Sequence, residues 1–151
     1  MEQPHFFFAA TKGHLEICRL IIDNVVNKNP PNNQGVTPLY QAAFSGHFEI
    51  CQLIIPYLAD KNPPNNLGWT PLHAAAEIGD LKICTLLIQN IANKNPPNNF
   101  GTTPLHCAAQ YGKIEVCELI AKHVTQKNPV NNNGKTSIQL LNEYARRIFQ
   151  M

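Results

Sequence analysis

Small apolar and polar positions alternate along this chain in a pattern that predicts short paired helices. From Thr70 to Gly79 the order is Thr-Pro-Leu-His-Ala-Ala-Ala-Glu-Ile-Gly, a thin apolar run set between a starting and a stopping signal. Threonine at an N-cap accepts a hydrogen bond from an orphan backbone N–H, and proline at the next position has no N–H to waste and a preset φ. Glycine supplies the positive φ that ends a helix. Helices of roughly two turns are therefore predicted from Pro38, Pro71 and Pro104. Beyond the glycine, Leu81, Ile83, Cys84, Leu86, Leu87, Ile88 and Ile91 crowd one broad side of a second, longer helix. The stretch Asn93 to Thr102 then carries two prolines, four asparagines and a glycine, which is turn chemistry and predicts a projecting finger.

The pattern recurs at one fixed period, without insertion or deletion. Thr37, Thr70, Thr103 and Thr136 keep that spacing, as do Gly13, Gly46, Gly79 and Gly112, and Cys18, Cys51, Cys84 and Cys117. A fixed period of about 33 residues signals a solenoid, in which one helix pair cannot bury its apolar face alone and stacks on its neighbours. The strings Thr37-Pro38-Leu39-Tyr40-Gln41-Ala42-Ala43, Thr70-Pro71-Leu72-His73-Ala74-Ala75-Ala76 and Thr103-Pro104-Leu105-His106-Cys107-Ala108-Ala109 resemble ankyrin repeats in both motif and period. The resemblance implies an all-α solenoid of stacked antiparallel helix pairs joined by projecting hairpin-like fingers. One domain is expected over 1–151: an N-terminal repeat 1–34, repeats 35–67, 68–100 and 101–133, and a C-terminal capping half-repeat 134–151.

Two features depart from the family pattern. The second helix usually ends on glycine, whereas Val25, Leu58, Ile91 and Val124 stand at the aligned positions and leave its end undefined within about a turn. Each finger also carries Lys-Asn-Pro before its asparagine pair, and paired prolines remove ladder donors and favour extended backbone, so stiff, weakly paired hairpins are expected. Pro56 falls near the end of a second helix, which should bend or stop early there. At the start, Pro4-His5-Phe6-Phe7-Phe8-Ala9-Ala10 lacks the capping threonine and reads either as a capping repeat or as a truncated array. At the other end Leu140-Leu141 replace two of the alanines and Arg146-Arg147 add charge, as in a terminal cap.

Composition narrows the alternatives. The chain has no apolar run of about 18 residues or more to span a bilayer, and the apolar stretch Phe6 to Ala10 is too short for a secretory leader, so neither membrane insertion nor secretion is expected. The net charge is +2 with only 15% charged residues and no dense Lys/Arg stripe, which argues against nucleic acid. Polarity comes instead from 18 asparagines, 12 of them in the fingers. Five cysteines are an odd number, and four occupy equivalent places on helices that stack about 8–10 Å apart, farther than the roughly 4.4–6.8 Å that a disulfide spans. Free, buried thiols suit a reducing compartment, so an intracellular, cytoplasmic monomer is expected, with the nucleus a second compartment.

Candidate chemistry is weak beside its structural reading. His14 with Cys18 and His47 with Cys51 are i,i+4 pairs able to place two metal ligands on one helix face. The equivalent pairs are Asp80 with Cys84 and Lys113 with Cys117, so the spacing belongs to the repeat and no metal or cofactor is expected. Cys107 follows His106 in sequence, but a thiol nucleophile needs a depressed pKa, and no catalysis is expected. His73 and His106, three positions after the capping threonine, should bond back to the cap or across to the next finger. Tyr40 replaces them in one unit.

Surface residues remain. In the family, partners lie on the concave side made by finger tips and first helices, which here implies a protein-binding set of Gln34, Val36, Phe44 and Ser45, then Leu67, Trp69, Glu77 and Ile78, then Phe100, Thr102, Gln110 and Tyr111, with Asn33, Asn66 and Asn99 beside them. These positions vary from unit to unit within a shared frame, and Leu67, Trp69, Ile78, Phe100 and Tyr111 are of the class that supplies binding hot spots. Trp69 and Phe100 are equally readable as contacts between adjacent fingers. The expected function is non-catalytic binding of a protein or peptide on the concave face; the alternative is a fragment, targeting or spacer array of a larger protein, attached to a catalytic domain elsewhere. The resemblance also implies that Asn29, Asn62, Asn95 and Asn128 align with the place modified by intracellular asparaginyl hydroxylases, although proline follows each.

Overall fold

Four helix pairs and one terminal helix follow one another along residues 4–150, the residues described by the computed structural model. The pairs are α1 (Pro4–Lys12) with α2 (Leu15–Asn24), α3 (Pro38–Phe44) with α4 (Phe48–Ile54), α5 (Pro71–Ile78) with α6 (Leu81–Asn90), and α7 (Pro104–Gln110) with α8 (Ile114–His123); α9 (Ser137–Phe149) stands alone. Among the described residues there is no strand, and Val130 with Thr136 makes an isolated antiparallel bridge. The first helices α1, α3, α5, α7 and α9 stack in one row, and α2, α4, α6 and α8 stack behind them.

The alanines explain the close front row. Ala42, Ala43, Ala75, Ala76 and Ala108 are fully buried, and side chains this small let the first helices approach closely. Leu39 and Leu72 fill the space between rows, while Ile50, Ile54, Ile83, Leu87, Val116 and Ile120 seal one second helix to the next. Burying each such side chain is worth about 1.5–3 kcal/mol. Leu81, counted on the apolar side by periodicity, is exposed: it sits at the first position of α6, before the helix turns its face inward.

The predicted starts at Pro38, Pro71 and Pro104 are the observed ones, each preceded by a capping threonine. Thr136 does the same for α9. The glycines that follow the first helices have positive φ, +74° at Gly46, +85° at Gly79 and +65° at Gly112. Residue Ala145 occupies this place in the last unit, and with no glycine to turn the chain α9 runs on for 13 residues. α9 is thus longer than the other first helices.

The second helices stop without glycine. Val25, Ile91 and Val124 are simply extended after ten-residue helices. In the first three units a lysine three residues on takes over the capping: Lys28 Nζ donates to the carbonyls of Ile22 and Val25, Lys61 to Leu58 at 2.7 Å, and Lys94 to Ile91. A cation at a helix C-terminus also opposes the macrodipole. Pro56 does shorten α4, which ends at Ile54 and passes into a single 3-10 turn, Ile55–Tyr57.

The first unit is open on its outer side. Ile17 is 47% exposed, whereas Ile50 and Ile83, its equivalents, are 1% and 0% exposed beneath the preceding unit. Phe8 and Leu20 are exposed on the same unit.

Candidate concave binding surface

Each finger is held by three asparagines with separate tasks. The first, Asn29, Asn62 or Asn95, accepts through Oδ1 from the backbone N–H of Leu39, Leu72 or Leu105, 2.9 Å in each case, and ties the finger to the start of the next first helix. The second, Asn32, Asn65, Asn98 or Asn131, accepts from two backbone N–H groups, two and four residues ahead, and shapes the tip. This is the asparagine preference for local turn bonding used twice over. The third builds a ladder between fingers: Asn66 Nδ2 donates to the Asn33 carbonyl, Asn99 to Asn66 and Asn132 to Asn99, at 3.0–3.3 Å. The main chain runs alongside, with the N–H of Asn66, Asn99 and Asn132 donating to the carbonyls of Gln34, Leu67 and Phe100. Side chains thus replace much of the pairing expected from hairpins. The fingers form a rigid comb because prolines remove strand donors and asparagines restore the bonds.

Glycine is required at the crossing points. A Cβ on Gly68, φ +83°, would lie 2.9 Å from the Asn98 Cα and the Asn99 nitrogen of the next finger.

Histidine locks the comb to the helices. Thr70 N–H donates to His73 Nδ1 at 3.1 Å, so Nε2 carries the proton and donates to the Thr102 carbonyl at 3.0 Å. His106 repeats this between Thr103 and the Lys135 carbonyl. Both bonds anticipated for these rings are made at once. In the last unit Gln139 Oε1 accepts from Thr136 N–H at 2.8 Å, serving the cap alone. Burial pushes His73 down to about 4, and burial likewise lowers His106.

Upon this frame the candidate residues are unequal. Gln34, Leu67 and Phe100 lie exposed on the finger tips, with Leu67 and Phe100 each 51% exposed; Phe44, Ser45, Ile78, Gln110 and Tyr111 are exposed at the ends of the first helices. Val36, Thr102 and Glu77 are half-buried. Trp69 is also half-buried: its ring meets His73 edge-on, centroids 5.4 Å apart, and packs on the core. Trp69 is thus packed on its own first helix and the core, while Phe100 keeps half its surface free. Tyr40 stacks on Phe44 with centroids 6.5 Å apart. The Glu77 carboxylate is the leading cause of the raised Tyr111 pKa, whereas burial first and Glu77 second push Tyr40 up to about 12. Glu77 thus lies near tyrosines of both neighbouring units and disfavours their ionisation.

Sequence reasoning passed over the last unit of this face. A groove of about 500 Å³ places Thr102 and Gln110 beside Lys135, Glu143, Arg146 and Arg147. Lys135 and Glu143 were within reach, since they stand one repeat after Thr102 and Gln110. Arg146 and Arg147 were not, because they enter the groove on the overrun of α9. Two further hollows, about 510 and 580 Å³, lie at equivalent places beside the finger bases, around Lys28 and Lys94, and belong to the repeat.

The remaining chemistry is internal. Burial pushes Cys18 and Cys117 up to about 11 and Cys51 and Cys84 to about 12, and raises Cys107 as well, the opposite of an activated thiol. Both nitrogens of His106 are engaged, so it cannot serve Cys107 as a base. His47 Nε2 bonds the Thr11 carbonyl at 3.0 Å and is turned to the preceding unit. Among the described residues, no group of three or more His, Cys, Asp or Glu is placed to hold a metal, and no helix is long and apolar enough to cross a membrane. Asn29, Asn62 and Asn95 are committed to their helix bonds, and Asn128 makes the same bond at a long 3.5 Å.

Comparison with curated proteins finds no match. The family model for ankyrin repeats (three copies) matches residues 2–65 and 56–133. With stacked helix pairs, capped Thr-Pro starts and an unbroken repeat register beneath that match, this chain belongs to the ankyrin-repeat family.

Proposed function

We propose that the chain is a non-catalytic module that binds a protein or peptide on the concave face between finger tips and first helices. Ankyrin repeats are in general protein–protein interaction modules and typically non-catalytic, which supports the class. The observation that carries the reading is the exposure of Leu67, Phe100, Ile78 and Tyr111 on a frame whose neighbouring fingers are tied together by the asparagine ladder. Apolar and aromatic side chains held on a rigid support lose little entropy on binding. A cytoplasmic, intracellular monomer goes with this reading, since buried thiols of raised pKa suit a reducing compartment.

The test compares capture of partners by the wild type, by a Phe100→Ser, Tyr111→Ser double variant and by Leu20→Ser on the outer side, all checked for folding by circular dichroism. A protein held by the wild type and Leu20→Ser but lost by the double variant supports the concave face. One lost only by Leu20→Ser moves the site elsewhere and overturns the reading.

A second reading, that these units continue a longer array, is favoured by Phe8, Ile17 and Leu20, exposed on the unit whose internal counterparts are covered. Replacing residues 1–4 with a copy of residues 35–70 should then raise the unfolding midpoint, and an Ile17→Asp, Leu20→Asp version should lose the gain. An unchanged midpoint removes this reading.

A further inference from the structure

Along the concave face the chemistry changes from unit to unit. The finger-tip position reads Gln34, Leu67, Phe100, Asn133, and the helix-end position reads Ser45, Ile78, Tyr111, Tyr144, so the middle units are apolar. The groove that follows them holds Lys135, Arg146 and Arg147, and among the described residues its one lining side-chain carboxylate is Glu143. Lys135 Nζ and Glu143 Oε2 are paired at 2.8 Å and neutralise each other. Arg147 gives one donor to the Gln110 carbonyl at 3.4 Å, while a guanidinium has five. Among the described residues, two exposed guanidinium groups therefore remain in the groove.

Resting on the concave-face reading, we infer that the partner is a peptide segment with an apolar or aromatic anchor and an Asp or Glu on one side of it, the anchor seated at Phe100 and Tyr111 and the carboxylate at Arg146 and Arg147. Arginine forks match carboxylates with two parallel bonds, and the surplus charge steers such a partner to one end of the groove. Spacing follows from geometry. Stacked helices lie about 8–10 Å apart and an extended chain advances about 3.3 Å per residue, so one unit corresponds to about three residues. The acidic residue belongs about three residues from the anchor.

The test selects binders to the whole chain from a displayed library of random 12-residue peptides. Enriched peptides should carry Asp or Glu at a constant spacing of about three residues from an aromatic or aliphatic residue. The best of them, made synthetically, should bind an Arg146→Glu, Arg147→Glu variant at least about tenfold more weakly, as loss of charge-assisted bonds implies. The milder Arg146→Gln variant, which keeps the Arg147 bond to Gln110, should weaken binding less but measurably. Enriched peptides without an acidic preference, or with equal affinity for the folded variants, would overturn the inference and leave concave-face binding standing. Failure to enrich any peptide that is sensitive to Phe100→Ser, Tyr111→Ser would overturn the concave-face reading and the inference together.

Discussion

The Nδ1 of His73 accepts from the Thr70 amide while its Nε2 donates to the Thr102 carbonyl, so only the neutral ring serves both partners. Burial holds its pKa at about 4 against 6.5 in the unfolded chain. Between these values the unfolded state binds more protons, so stability is complete above about pH 6.5 and falls as pH drops toward 4, by about 3 kcal/mol from this group. His106 acts in the same direction. Denaturant midpoints measured across this range should show the decline, and His73→Gln, which can keep the cap as Gln139 does, should flatten it. An unchanged slope in His73→Gln would remove the assignment. The thiols give a second residue-scale expectation. All five cysteines have raised pKa values, and only Cys117 is not fully buried. In native protein a thiol reagent should modify Cys117 first and slowly, and denaturant should release all five; peptide mass spectrometry identifies the order, and first reaction at Cys84 contradicts it.

At the scale of elements, the same residue type has different worth according to its neighbour. Ile83 is sealed between second helices and Ile17 is half open, so Ile83→Ala should cost about 2–5 kcal/mol and Ile17→Ala less than about 1, read from denaturant unfolding. Equal losses would mean that the first unit is covered in solution. The fingers depend on backbone approach as much as on asparagine. Gly68→Ala imposes a strained φ and a clash with the next finger's main chain, and should destabilise by about 1–3 kcal/mol. Helix starts were legible in Thr-Pro because cap and φ are local properties. Helix ends were less so: the lysine that replaces the family's glycine acts on a carbonyl three residues back, and nothing local marks it as a cap.

For the whole molecule, stacking makes stability a matter of nearest neighbours. The units of α3 to α6 have a neighbour on both sides, whereas α1 and α2 have one and α8 has no second helix after it. Hydrogen exchange should therefore be slowest in α5 and α6 and fastest in α2 and the last turns of α9, a gradient that uniform protection would contradict. The proposed binding face has the same origin. It is assembled from fingers and helix ends one repeat apart, so its apolar middle was visible as variation within a register.

Period, capping and composition are local or counted quantities, and from them came the paired helices and the starts at Pro38, Pro71 and Pro104; the repeated motif's resemblance to ankyrin repeats supplied the concave candidates. Three things waited for tertiary structure. Trp69 turned out to pack edge-on against His73 and the core, because burial depends on what lies across space. The asparagines divided into tie, tip and ladder, because each bonds a partner at its own distance along the chain, from the same turn to the next repeat. The two arginines reached the groove because Ala145, lacking a glycine's access to positive φ, lets α9 continue past the turn.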